Sequence, residues 1–120
     1  MDSATAVTSL AALAQESRLA IYRLLVEAGP TGLAVGEIGA ELHVAPATLS
    51  FHLKALAQAG LVEARQDGRF IYYSASFARM NALLGYLTEN CCARDSGPGC
   101  GPRARNARPS RAKARSRETQ

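Results

Sequence analysis

Cysteine is nearly absent from this chain. Its 120 residues hold three, none before residue 91: Cys91, Cys92 and Cys100. An odd set with two adjacent members is a poor disulfide framework, which argues against a small stapled secreted domain and for the reducing cytoplasm. Long apolar runs are missing as well. No stretch is long enough to span a membrane. No basic segment leads into an apolar run near the start, so no signal peptide is expected. Positive charge is scarce where a fold is expected. Residues 1–100 hold seven basic and nine acidic residues, net −2, whereas residues 101–120 hold seven basic residues and one acid, net +6. The overall +4 therefore describes the tail, and any positive surface on the folded part must be local.

What is present is apolar periodicity. Hydrophobic residues make up 48% of the chain, enough for one modest core in a single domain. Val7, Leu10, Ala11 and Leu13 recur at helical spacing over 4–14. Ser17 reads as the N-cap of a second helix over about 18–28, with Leu19, Ile21, Tyr22, Leu24, Leu25 and Val26. That helix is apolar on more than one side and is expected to be central. Gly29-Pro30-Thr31-Gly32 ends it by turn chemistry. A third helix is predicted over 35–42, with Val35, Ile38 and Leu42 inward. His43-Val44-Ala45 follows as a turn, and Pro46 suits the first position of a helix over 46–58, where its missing N–H is no loss. Gly60 fits the C-terminal cap. Leu61–Arg65 and Arg69–Ser74 are strand-like and joined through Asp67-Gly68, a hairpin signal. A last helix is predicted over 76–90, with Phe77, Met80, Leu83, Leu84 and Leu87. From Ser96 onward Gly, Pro, Arg and Ala dominate. The expected organisation is a folded domain over 1–95 and a flexible Gly/Pro, then Arg-rich, tail over 96–120. The order helix, turn, helix, hairpin is that of a winged helix-turn-helix, mainly α with a small β-hairpin.

On a helical wheel of residues 46–58, Leu49, Leu53 and Leu56 share the core face. Ala47, Phe51 and Lys54 lie opposite, flanked by Thr48 and Ser50. Small side chains allow close approach to base edges, hydroxyls bond bases or phosphates, and an exposed Phe packs on thymine methyls. Lys54 suits a phosphate. Alone, such a face is equally an ordinary solvated one. The preceding helix, the three-residue turn and the hairpin favour DNA contact. His52, on the flank of the buried face, is either a packing residue or a further contact. Arg65 and Arg69 near the hairpin tip are candidate phosphate contacts. The basic tail either adds sequence-independent phosphate attraction or is a solvated appendage.

Several segments together resemble the ArsR/SmtB-type repressors. They are Leu13-Ala14, Ser17-Arg18-Leu19-Ala20-Ile21-Tyr22-Arg23-Leu24-Leu25, Val35-Gly36-Glu37-Ile38, Ala47-Thr48-Leu49-Ser50-Phe51-His52-Leu53-Lys54, Ala59-Gly60-Leu61-Val62 and Gly68-Arg69-Phe70-Ile71-Tyr72-Tyr73. The resemblance covers roughly residues 10–90. It implies a homodimer built through the first and last helices, which binds an inverted-repeat operator in double-stranded DNA and leaves when metal binds. The founding arsenic sensors carry paired cysteines at the start of the recognition unit. Here that place reads Glu41-Leu42-His43-Val44-Ala45, without a thiol. The zinc sensors use His and acidic ligands on the last helix, where this chain has no His. The remaining set, Cys91, Cys92 and Cys100, looks like that of variant arsenic sensors with ligands beyond the last helix.

Soft thiolates select thiophilic ions. Three sulfurs without an obvious fourth ligand suit trivalent arsenic or antimony, As(III) or Sb(III), as inducer. Zinc favours a closed tetrahedral set. Cadmium, lead or mercury remain compatible with three thiolates. A site of Cys91 and Cys92 alone would favour methylarsenite, and thiol oxidation would use the same residues. No organic cofactor is expected. A thiol redox enzyme, for instance an arsenate reductase, is disfavoured: no Cys-x-x-Cys, no phosphate-cradling loop and no βαβ pattern surround the thiols.

Overall fold

The chain begins with a helix, α1, Ser3–Leu13. Asp2 caps it, its carboxylate accepting from the Thr5 N–H at 2.8 Å. A second helix, α2, runs Glu16–Ala28. Its cap is Gln15 rather than the expected Ser17: Gln15 is extended, and its amide oxygen reaches the Arg18 N–H at 2.8 Å. The longer side chain does from two residues back what a serine hydroxyl was expected to do. Arg18 in turn donates to the Ala12 carbonyl at 2.7 Å, tying the end of α1 to the start of α2.

This computed structural model describes residues 1–95. The chain divides into two units, Met1–Tyr86 and Leu87–Gln120. The expected tail over 96–120, with Cys100, lies outside the described residues.

In the first unit, a short strand β1, Leu33–Ala34, precedes helix α3, Val35–Leu42. The Ala34 N–H donates to the Glu37 carboxylate at 2.8 Å, which secures the start of α3. His43 is left-handed (φ 57°) and closes the helix, and helix α4, Pro46–Gln58, starts three residues later as expected. Gly39 makes the tight turn feasible, since a Cβ there would sit 3.2 Å from the Val44 carbonyl oxygen. At the end of α4, Gly60 is left-handed (φ 79°). Its N–H bonds the Ala57 carbonyl at 3.0 Å and that of Leu61 bonds Leu56 at 3.0 Å, the paired closure of a Schellman motif.

The wing is the hairpin of β2, Val62–Asp67, and β3, Phe70–Ala75. Both strands sit later in the chain than the sequence suggested. Asp67 belongs to the strand and pairs with Phe70, so the turn is Gly68-Arg69. Gly at the first central position with φ 65° fits a type II′ turn, whose twist suits a hairpin. The hairpin is part of a three-stranded antiparallel sheet of order β1-β3-β2, with Leu33 opposite Tyr73. Two residues are too short to show an alternation pattern, and β1 was not foreseen.

The last helix, α5, spans Phe77–Leu87, shorter than the predicted 76–90. Ser76 is its cap, the hydroxyl accepting from the Arg79 N–H at 3.2 Å. The core unites Ile21, Tyr22 and Leu25 of α2, Ile38 of α3, Leu49, Leu53 and Leu56 of α4, and Leu61, Val62 and Ala75 beside the sheet. The central place of α2 is borne out, except that Leu19 is exposed. On α5, Leu83 is buried while Leu84 and Leu87 are exposed.

Candidate nucleic-acid interface and thiol pair

The core anchors α4 by one side only. Leu49, Leu53 and Leu56 are at most 1% exposed, which turns Ala47, Thr48, Ser50, Phe51 and Lys54 outward. Phe51 is 67% exposed. Gln58, one turn beyond Lys54, extends the same face and escaped the sequence reading. His52 does not belong to that face. It is 7% exposed, packs edge-on against Phe51 with ring centroids 5.7 Å apart, and its Nδ1 has no hydrogen-bond partner among the described residues. Its burial beside Leu49, Leu53 and Leu56 makes it a core-side residue.

Between α4 and the wing lies a cleft of about 430 Å³. Ser50 and Lys54 of α4, Arg69 and Phe70 of the wing, and Val35 and Gly36 at the start of α3 line it. Two cations and a helix N-terminus thus share one open surface, an arrangement that favours a phosphate. Phe70 (59% exposed) and Ile71 (45%) complete the tip with apolar surface that no charge pattern announced. Arg65 is separate from this cleft. Its guanidinium lies over the Tyr72 ring and donates to the Thr31 carbonyl at 3.4 Å.

The second unit, where described, is a chain of turns after Leu87. The N–H of Cys91 bonds the Thr88 carbonyl at 2.9 Å, and that of Asp95 bonds Cys92 at 3.1 Å. Asn90 (φ 61°) and Cys92 (φ 62°) are left-handed. Adjacent residues on a regular helix point about 100° apart. Here the left-handed break brings the Sγ atoms of Cys91 and Cys92 to 3.6 Å. Cys91 carries a thiol. No group of three metal-ligating side chains occurs among the described residues, and Cys100 lies outside them. No helix among the described residues is long and apolar enough to cross a membrane.

A helix-turn-helix presenting an exposed second helix beside a two-stranded wing defines a class: DNA-binding transcriptional regulators. The family model for a helix-turn-helix domain matches residues 13–65. The transcriptional activator HlyU of Vibrio cholerae is 34% identical over 91 residues, covering 76% of this chain and 82% of that protein. Its solved structure superposes with a TM-score of 0.61, covering 75% of this chain and 95% of that one. The arsenical resistance operon repressor of Bacillus subtilis is 35% identical over 73% of this chain and 81% of its own. A homodimeric winged helix-turn-helix DNA-binding domain from Mycobacterium bovis, described as a possible ArsR-family transcriptional regulator, is 31% identical. It covers 78% of this chain and 86% of that one, with a TM-score of 0.58. The chain belongs to the ArsR family of winged helix-turn-helix transcriptional regulators. These relatives are DNA-binding regulators, not enzymes.

Proposed function

We propose that this regulator is a repressor which binds an inverted-repeat operator as a homodimer and is released by trivalent arsenic or antimony. The observation that carries the inducer is the 3.6 Å approach of the Cys91 and Cys92 sulfurs. Two sulfurs this close can be shared by one soft ion. Cys100 supplies the third sulfur in this reading. Cadmium and lead fit the same donors, and methylarsenite fits the Cys91–Cys92 pair alone. The same thiols support a second reading, in which thiol oxidation itself governs DNA binding.

Dimerisation follows from exposed apolar surface. Val7 (61%) and Leu10 (41%) on α1, and Leu84 (52%) and Leu87 (54%) on α5, suit a partner's equivalent helices. Two copies then present α4 to successive major grooves about 34 Å apart, with Lys54 and Arg69 on the backbone. Inducer at the residues beyond α5 acts on the element that builds the dimer seam. A coupling of about 1–3 kcal/mol would weaken DNA binding about 5–150-fold. Linkage requires operator DNA to lower inducer affinity by the same factor. The site of action is the cytoplasm, where the DNA lies.

The deciding experiment titrates the reduced protein on a duplex it selects from a random pool, using arsenite, antimonite, methylarsenite, cadmium and zinc. Cys91→Ser, Cys92→Ser and Cys100→Ser are run beside it. Release by arsenite and antimonite, lost in all three variants, is the expected result. Release by methylarsenite alone, with Cys100→Ser like the parent, makes it a two-thiol organoarsenical sensor. Release only by oxidant favours the redox reading.

A further inference from the structure

The C-terminal end of α4 is fastened by a side chain from another helix. Nη1 of Arg79, in the first turn of α5, donates to the Ala59 carbonyl at 2.9 Å. Ala59 is the C-cap of α4, where the helix dipole concentrates negative partial charge, so a cation there is doubly favoured. The same Nη1 lies 3.4 Å from the hydroxyl of Ser9 on α1, a side chain with 0% exposure. The Arg79 backbone N–H meanwhile bonds the Ser76 hydroxyl that caps α5. One residue therefore joins the start of α5, the middle of α1 and the end of α4.

Gly60 makes room for this clamp. A Cβ at that position would come within 2.8 Å of the Arg79 guanidinium carbon. The glycine therefore serves two ends: it supplies the left-handed cap of α4, and it leaves the space through which the guanidinium reaches the carbonyl.

We infer that Arg79 is a positioning residue for DNA recognition: it sets the pose of α4 against α1 and α5, and through that pose the discrimination between operator and unrelated DNA. The inference rests on the DNA-binding reading and is independent of the inducer. Base readout depends on the orientation of a recognition helix, whereas sequence-independent attraction depends on charge. Loosening one end of α4 should therefore degrade the first and spare the second.

The test uses the full chain. Its probes are the duplex that the parent selects from a random pool and a scrambled duplex of the same composition, each titrated across salt concentrations. Arg79→Met keeps the stem and removes the donors, and Arg79→Lys keeps the charge and a single donor. Arg79→Met is expected to lower the preference for the selected duplex by about tenfold or more, with scrambled-duplex affinity and salt slope unchanged. Arg79→Lys should fall between the two. Parent-like preference in Arg79→Met overturns the inference, and so does an equal loss on both duplexes, which would indicate general destabilisation or lost charge. If Arg79→Met does not fold, Arg79→Lys and Ser9→Ala decide: reduced preference in both supports the clamp, and parent-like preference in both overturns it. A parent that selects no duplex sinks the DNA-binding reading instead.

Discussion

Arg65 lies over the ring of Tyr72, its guanidinium carbon 4.9 Å from the ring centroid. The two residues are cross-strand partners in the wing, and Arg65 also reaches the Thr31 carbonyl. It braces the hairpin, while Arg69 in the turn lines the cleft beside Lys54. Arg69→Ala should reduce the slope of log affinity against log salt by about 1. Arg65→Ala should change that slope less and lower stability by about 0.5–1 kcal/mol, the worth of an exposed cation–π pair. Salt titrations and denaturant melts of both variants check the division of roles.

Phe51 and Leu53 are two positions apart on α4 and should behave oppositely. Phe51→Ala, at an exposed site, should leave the denaturation midpoint within about 0.5 kcal/mol of the parent and weaken preference for the selected duplex by about 1–3 kcal/mol. Leu53→Ala, at a site 1% exposed, should cost about 2–5 kcal/mol of stability. Urea melts with duplex competition separate the two effects.

Gly32 and Gly68 are both left-handed, with φ 73° and 65°. A Cβ on Gly32 would collide with the Tyr73 carbonyl, whereas nothing lies within 4 Å of a Cβ on Gly68. Gly68→Ala should therefore cost about 1 kcal/mol, the backbone strain alone. Gly32→Ala adds a clash with sheet backbone and should be the more damaging of the pair, by more than about 1 kcal/mol. Equal midpoints in denaturation would refute the distinction.

The hydroxyl of Tyr22 is buried and has no hydrogen-bond partner among the described residues. Tyr22→Phe should leave stability at pH 7 unchanged or raise it by up to about 1 kcal/mol. Burial also pushes the Tyr22 pKa above its ordinary 10.0. With the folded value raised, the unfolded chain loses its proton first. The contribution of Tyr22 is then fully present below pH 10 and lost as pH rises from there through the folded value. The phenylalanine variant should lose less stability than the parent between pH 8 and pH 11, read by thermal melts at each pH.

Much of the fold was legible because it follows from local chemistry. The bounds of α3 and α4 agree with the sequence reading, since Pro46, the apolar spacing of Leu49, Leu53 and Leu56, and Gly60 each act within one or two turns. The exposed face of α4 was legible for the same reason, because helix periodicity alone turns Ala47, Phe51 and Lys54 away from the leucines. The adjacency of Cys91 and Cys92 is a fact of the sequence itself. Elements of two residues, such as β1, and caps made by an atypical side chain, such as Gln15, left no pattern to read.

What the tertiary structure decided are contacts between residues distant along the chain. It set His52 among the core leucines by the way α4 is packed, a choice that a wheel with His52 on the flank of the buried face leaves open. It set Arg65 on Tyr72 and Arg69 in the cleft, although both are basic residues of one hairpin. It also joined Ser9, Ala59 and Arg79, which lie 70 and 20 residues apart in the chain. Propensity and periodicity are properties of neighbours along the backbone. The partner of a guanidinium is chosen by packing, which only the assembled chain defines.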